Sequence, residues 1–477
     1  MLTKTFFIDL HGCAKNQVDA EIINGILILN GWERLESPNS ASLIIINSCG
    51  FIEEAKKESI NSIIELRQEY PNSKIILAGC LSERYSDIFS NEMEELDGVF
   101  GNGNLSQLMF LVNSLFPNFD NSFKNIKSEY FILKKKPLIK PPQLGISSGE
   151  RPHFFNFKSS AYIKITEGCN NKCSFCAIPL IRGALRSRRI IEIITEIKEF
   201  IVRGIYEFNL VGQDLGVFGM ENNAFLSPSP LSLLLNEIRK LKGRFIIRLL
   251  YIHPDHFPLD ILPIMASDER FLPYFDIPFQ SGSDKIIKQM NRKGSFNTYL
   301  QLVSTIKNAF KNTKYKTAVI RTTFLVGFPS ETDDDFSKTL KFLKELKTFW
   351  SGVFTYSKEE DTPAFLMKGH VKEKTKKIRK EILEEEQEEI TTSLLLRFLG
   401  EILLVLVEEI VEEENEKIAI GRAWFQAPDV DGVIIITYKE SDMSIDGNKI
   451  KEGELVFVKI NKVSSFDLEG VALGENK

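Results

Sequence analysis

The sequence predicts an α/β chain in three parts: a parallel α/β unit, a second run of βα units forming a partial or complete barrel, and a small β-barrel at the C-terminus. Three observations predict it. Apolar runs of about five residues alternate with helical patterns as far as about residue 370. Beyond about residue 396 the helical patterns give way to short β runs separated by Asp431-Gly432 and Asp446-Gly447 turn signals. The length, 477 residues, suits about three domains of roughly 150 residues each.

In the first unit, residues 1–115, the runs 6–10, 43–47 and 74–78 read as buried strands, and 20–30 and 53–69 read as helices. Strands alternating with helices imply a parallel sheet, whose ligands sit beyond the carboxyl ends of the strands. Cys13, Cys49 and Cys80 each follow one of these strands, with Gly12, Gly50 or Gly79 alongside to let the backbone turn. All three therefore point to one crevice, although three small buried residues at strand ends would look the same. Residues 116–150 read as a connector, rich in Lys134-Lys135-Lys136-Pro137, Lys140-Pro141-Pro142 and Gly145, Ser147, Ser148 and Gly149.

In the second unit, residues 151–371, strands are expected at 161–166, 207–211, 245–250, 274–277 and 319–326, with helices such as 191–202 and 231–241 between them. Roughly six βα units suggest a barrel whose chemistry lies at the carboxyl ends of its strands. Residues 372–395 read as a charged helical linker, Lys-rich at its start and Glu-rich from Glu384 to Glu389, with a solvated face. In 396–477 the β runs 402–407, 433–437 and 455–460 suggest a barrel of the oligonucleotide-binding kind.

Composition narrows the function. Hydrophobic residues are 43% and charged residues 26%, and 60 Lys+Arg against 65 Asp+Glu give a net charge of −5. That argues against a chain whose whole surface serves nucleic acid. No apolar run approaches the roughly 18–20 residues that span a bilayer. The start, Met1 to Thr5, lacks a signal peptide's apolar core, so a soluble, cytoplasmic protein without a membrane partner is expected. Six cysteines are too few for a disulfide-stapled scaffold.

Three of those cysteines form a CxxxCxxC run, Cys169, Cys173 and Cys176, just after the first barrel strand. A closed zinc site takes four ligands, and the next histidine is the distant His253. Three thiolates suit a 4Fe–4S cluster with one iron left open for a small molecule. An electron carrier or a non-catalytic iron–sulfur RNA-binding protein is the alternative of another class, but electron carriers usually close all four positions.

This run, with Phe175 before its last cysteine, resembles the radical S-adenosylmethionine superfamily. Together with the three dispersed N-terminal cysteines and the terminal β-domain, it makes nearly the whole chain resemble the methylthiotransferases. The resemblance implies two 4Fe–4S clusters, the first on Cys13, Cys49 and Cys80 and bearing the sulfur, the second on Cys169, Cys173 and Cys176. It also implies S-adenosylmethionine as radical source and methyl donor, a reductant, a sulfur donor, and a terminal TRAM domain that binds the substrate macromolecule. Three stretches look like the ribosomal-protein branch, the RimO-like enzymes: Gly12-Cys13-Ala14-Lys15-Asn16-Gln17-Val18-Asp19; Asn47-Ser48-Cys49-Gly50-Phe51-Ile52 with Ala55-Lys56 and Glu58-Ser59-Ile60; and Gly421-Arg422 with Ala427-Pro428-Asp429-Val430-Asp431-Gly432. That branch methylthiolates the β-carbon of an aspartate in small-subunit ribosomal protein S-twelve. Ala14, Leu215 and Ser281 depart from its usual residues, and Gln280-Ser281-Gly282-Ser283 looks more like the tRNA-modifying, MiaB-like branch.

Charge bears on that choice. Residues 397–477 hold nine Lys and Arg against seventeen Asp and Glu, leaving the rest of the chain slightly positive. An acidic terminal barrel repels tRNA phosphates and attracts a basic ribosomal protein. By resemblance, Phe175 and the Gly327-Phe328-Pro329 segment lie near the cofactor's adenine, although simple packing for Phe175 and a plain strand-to-helix turn for the segment would look the same. Gln213 and Gln280 follow strands and either face the barrel interior or serve as structural hydrogen-bonding residues. Arg182, Arg186, Arg188 and Arg189 either bind carboxylates or cover the barrel surface. His253 and His256 read as structural, and Gly101-Asn102-Gly103 as a turn.

Overall fold

A computed structural model describes residues 3–119, 129–147, 149–155, 157–222, 226–412 and 417–473. Ser148 and residues 120–128 of the anticipated connector lie outside them.

The first sheet is built on short apolar runs that are buried on both faces, as a helix-covered parallel sheet requires. Its strand order is Glu33–Arg34, Thr5–Leu10, Leu43–Ser48, Lys74–Gly79, Gly98–Phe100, Pro137–Ile139, Phe131–Leu133. All neighbours are parallel except the last pair. The Lys- and Pro-rich stretch expected as a plain connector thus supplies two strands. Pro137 is tolerated because it opens its strand, where a missing N–H costs least.

The first helix runs Ala14–Leu29, six residues earlier than the apolar pattern indicated. Its opening turns carry Lys15, Asn16, Gln17, Asp19 and Glu21, all buried. Such residues read as solvated. They are buried because the helix is clamped between the first sheet and the second domain, where Arg151 Nε donates to Glu21 at 2.8 Å and Lys164 Nζ to Asp19 at 2.5 Å.

The second domain is a six-stranded, all-parallel open sheet in the order Trp350–Thr355, Val319–Val326, Phe271–Asp276, Ile246–Leu249, Glu207–Val211, Ser160–Lys164. It is a partial barrel. The expected strand at 274–277 begins three residues earlier and contains Pro273; the ladder to Ile246–Leu249 shifts register there, consistent with a missing donor. The helix Glu373–Leu395 is more than a solvated linker. Lys376, Arg379, Leu383, Gln387, Thr391 and Leu395 recur every three or four residues as a buried face. Gln387 Nε2 donates to Thr348 O at 3.0 Å, which fastens the helix to the approach to Trp350–Thr355.

The C-terminal domain is a closed barrel ordered Ile402–Glu412, Lys417–Arg422, Ile434–Tyr438, Asp467–Ala472, Leu455–Ser464. The segment between its second and third strands docks on the open side of the partial barrel. Arg248 Nη1 donates to Trp424 O (2.9 Å), Trp350 Nε1 to Phe425 O (2.7 Å), Tyr162 Oη to Asp429 (2.9 Å) and Tyr274 Oη to Asp431 (2.6 Å). Glu207 pairs with both Arg248 and Arg422 beneath them. One apolar core includes residues of all three domains, among them Phe6, Tyr162 and Val405. No helix among the described residues is long and apolar enough to cross a membrane.

Candidate active site

The ends of the first-domain strands lie in register, Leu10 opposite Asn47 and Ser48 opposite Gly79. The chain leaves each end at a cysteine. Gly79 has φ +94°, and a Cβ there would stand 2.6 Å from Ser48 O, so glycine is required. A Cβ on Gly50 would meet the Cys80 backbone at 2.8 Å, which places the turns carrying Cys49 and Cys80 in contact. Asn16 ties the ends together: its Nδ2 donates to His11 O (3.0 Å) and Ser48 O (2.9 Å), and its carbonyl accepts from Asn47 Nδ2 (2.6 Å).

Arg182 reaches this set from the second domain. Its Nη2 lies 3.2 Å from Cys80 Sγ and donates to Asn16 Oδ1 at 2.6 Å, while Nη1 donates to Asp19 (2.8 Å) and Glu167 (2.5 Å). Burial opposes ionisation of Cys13, yet the Lys15 and Arg182 charges outweigh it and hold that thiol below its ordinary value. Burial pushes Cys49 up to about 12 and raises Cys80, against the pull of Arg182. The protein alone therefore eases ionisation of one thiol of the three and opposes it at the other two. A cluster of iron ions bound there would supply the positive charge that ionises all of them.

The second set lies in one loop after Thr166–Glu167. Gly168 has φ +74°, and a Cβ there would fall 2.0 Å from Ala184 O. Backbone bonds pin the loop: Cys169 N to Gly183 O (3.1 Å), Ser174 N to Met290 O (3.1 Å) and Ala364 N to Ser174 O (2.8 Å). Burial pushes Cys169 and Cys176 up to about 12, with Asp214 adding for Cys169 and Cys173 for Cys176. His253 Nε2 stands 3.9 Å from Cys173 Sγ, and burial followed by the Arg292 charge brings its pKa down to about 3, so the imidazole is neutral. Asp214 accepts from Asn171 Nδ2 (2.9 Å), Gly216 N (2.9 Å) and His253 N (3.1 Å), knitting loop and histidines together.

The two sets are neighbours. Ala177 and Ile181 pack directly on Cys80, so the helix Ile178–Arg182, which follows Cys176, joins one set to the other. A cavity of about 710 Å³ opens beside the first set. Its wall takes Cys13 and Cys49 from the first domain, Phe175, Tyr251 and Gln280 from the second, and Pro428, Asp429 and Val430 from the third. Among the described residues no three His, Cys, Asp or Glu side chains gather tightly enough for one metal ion. The thiolates of a 4Fe–4S cluster bind separate irons and stand farther apart.

The sequence-chosen residues divide. Phe175 and Gln280 line the cavity, and Phe175 also packs beside Phe328. Gln213 does not line it, but both polar atoms of its amide are buried without a partner, as a group that meets a polar ligand would be. Gly327 lies away from the cavity; Lys376 fills the space over it and Glu331 takes its N–H at 3.0 Å. Arg188 pairs with Glu196 and Arg189 with Glu192, while Arg186 bonds Gly145 O and Ala184 O, so these three brace the fold. Sequence reasoning missed Gly168, Lys15, Asp19, Tyr251 and Asp276. The first has a signal, a glycine immediately before a clustered cysteine; Lys15 and Asp19 lay unremarked within the first quoted stretch.

Three family models match the chain: uncharacterized protein family UPF0004 over residues 5–101, the radical SAM superfamily over 163–343 and the TRAM domain over 399–473. The ribosomal protein uS12 methylthiotransferase RimO of Treponema denticola is 53% identical over 98% of this chain and 100% of its own. Its namesake from Aquifex aeolicus is 38% identical over 96% of this chain and 95% of its own. Among solved structures, the radical S-adenosylmethionine methyltransferase TsrM from Kitasatospora setae aligns with a TM-score of 0.52 at 12% identity, over 74% of this chain and 73% of that one. At that identity the likeness is one of fold.

Proposed function

The chain belongs to the RimO family of ribosomal protein uS12 methylthiotransferases, and from that premise we propose that it replaces a hydrogen on the β-carbon of an aspartate in uS12 (S-twelve) with a methylthio group. The observation that carries this reading is that two cysteine triads from different domains meet at one short helix, which follows Cys176 and packs on Cys80, with Cys13, Cys49 and Phe175 lining one cavity beside it. When bound, two 4Fe–4S clusters and S-adenosylmethionine supply the radical that breaks the C–H bond and the sulfur and methyl group that replace the hydrogen.

The chain's own residues divide the remaining work. Cys13, Cys49 and Cys80 would hold the first cluster and Cys169, Cys173 and Cys176 the second. Arg182, on the helix that follows the second set, donates to Cys80 and Asn16 and ties that helix to the first set. The unpartnered Gln213 amide suits the polar edge of S-adenosylmethionine, and Phe175 offers it an apolar wall. Leu10, Ile52, Leu250 and Leu325 line the rest and exclude water from a reactive intermediate.

The substrate assignment rests on the terminal barrel. Its surplus of carboxylates favours a basic protein over tRNA, and its Pro428–Val430 segment reaches the cavity. A low-potential reductant and a sulfur donor complete the stoichiometry, and the reaction belongs in the cytoplasm, where ribosomes are. Anaerobic reconstitution should give about eight irons per chain, and uS12 incubated with the holoenzyme should gain a methylthio group on one aspartate by mass spectrometry. About four irons would remove the second cluster. Modification of a tRNA adenosine with uS12 untouched would overturn the substrate.

A further inference from the structure

Lys15 stands out once the buried charges are paired. It is 9% exposed, and its Nζ lies 3.6 Å from the centroid of the Tyr251 ring. Tyr251 lines the cavity, as do Cys13, Ala14 and Gln17 on either side of Lys15 in the chain, so the ammonium lies against a ring of the cavity wall. Other buried cations around it have carboxylates: Arg182 and Lys164 share Asp19 and Glu167, and Arg151 pairs with Glu21.

The carboxylates of the cavity wall are satisfied in turn. Glu359 takes Lys56 (2.9 Å) and Arg84 (2.6 Å), Asp429 accepts from Tyr162 Oη (2.9 Å), and Asp276, which faces Lys15, has Arg321 at 3.5 Å. Lys15 makes no ion pair with a carboxylate within 4.0 Å among the described residues; the ring face and the Cys13 thiol are what its charge meets. A buried ammonium is costly unless an anion meets it, and an aromatic face compensates in part. The wall therefore holds one cation with no carboxylate of its own, beside the thiol set assigned to sulfur.

We propose that Lys15 binds the side-chain carboxylate of the aspartate to be modified. This rests on the uS12 reading above and deepens it. The β-carbon is bonded directly to the carboxylate carbon, so holding the carboxylate at Lys15 fixes the hydrogen to be replaced next to Cys13. It also selects against an adenine, which brings no negative charge to that point. Lys15 is a specificity-determining residue of the substrate pocket.

The test uses anaerobic, reconstituted full-length holoenzyme and fluorescent uS12 peptides carrying Asp or Asn at the target position. Wild type should bind the Asp peptide about tenfold to a hundredfold more tightly, the range of a charge-assisted hydrogen bond. Lys15→Met should bind both peptides at the Asn level, and Lys15→Arg should recover part of the preference. The iron content of both variants should equal that of wild type. The proposal is overturned if wild type shows no Asp preference, if Lys15→Met retains it, or if either variant lacks the irons of the first cluster, which would make Lys15 a support for that cluster. A wild type that leaves uS12 unmodified would instead remove the functional reading, and this proposal with it.

Discussion

The two thiol sets are built on opposite plans. Cys169, Cys173 and Cys176 lie within eight residues of one loop, and their positions follow from local backbone: a left-handed Gly168 and bonds from Cys169 and Ser174 to neighbouring segments. Cys13, Cys49 and Cys80 are spread over three strand ends and meet only because the sheet pairs those strands in register. They are then held by Asn16 and by Arg182, which comes from the other domain. A site made by spacing tolerates damage elsewhere; a site made by topology and buried charge does not.

Separating the two sets is the largest expected effect. Cys173→Ala should abolish reductive cleavage of S-adenosylmethionine. Cys49→Ala should spare cleavage and block sulfur insertion into uS12. Each variant should fall from about eight irons to about four. Loss of cleavage in Cys49→Ala would erase the distinction between the sets.

Arg182→Met tests the dependence of the dispersed set on a distant cation. Arg182, Asp19 and Glu167 are each 2–3% exposed in their side chains. Removing one member of such a buried network costs about 3–5 kcal/mol, because the remaining charges lose their partner. The expected variant is less stable to heat and loses the irons of the first set, yet still cleaves S-adenosylmethionine. Irons lost from the second set instead would show that the loop depends on the network as much as the strand ends do.

The same contrast explains what could be read from the sequence. The CxxxCxxC loop was legible as chemistry because its spacing is local. The three strand-end cysteines were legible as a crevice, since alternating strands and helices fix where the carboxyl ends point. The network around them was not, because Lys164 and Arg182 lie 145 and 163 residues from Asp19 and no periodicity connects them. The polar first turns of Ala14–Leu29 were left outside the expected helix and the buried stripe of Glu373–Leu395 was read as solvated for the same reason: local polarity says nothing of a partner that arrives from another domain. The quoted stretch Ala427 to Gly432 marked the family, but only the fold shows that it closes the open side of the barrel.

That closing segment yields the smallest prediction and carries the contrast to the cavity's third wall, which is also assembled over long range. Asp431 Oδ2 accepts from Tyr274 Oη (2.6 Å) and Ala427 N (2.8 Å), whereas buried Oδ1 makes no hydrogen bond and meets the Arg321 charge, Nε at 3.3 Å. Burial raises its pKa from 3.8 to about 6, against the Arg321 charge and the two hydrogen bonds. A carboxyl with a raised folded pKa contributes stability fully below its unfolded pKa and loses it as pH rises through the folded one. A shift of roughly two units corresponds to about 3 kcal/mol, lost between about pH 4 and pH 6–7. Asp431→Asn lacks this titration. The difference in Tm between variant and wild type should therefore move in favour of the variant from pH 4 to pH 7, with iron content unchanged in both, because the group seats the closing segment and touches neither thiol set. A parallel pH course for the two proteins would show that Asp431 does not titrate in this range and that the third wall is seated by its other contacts.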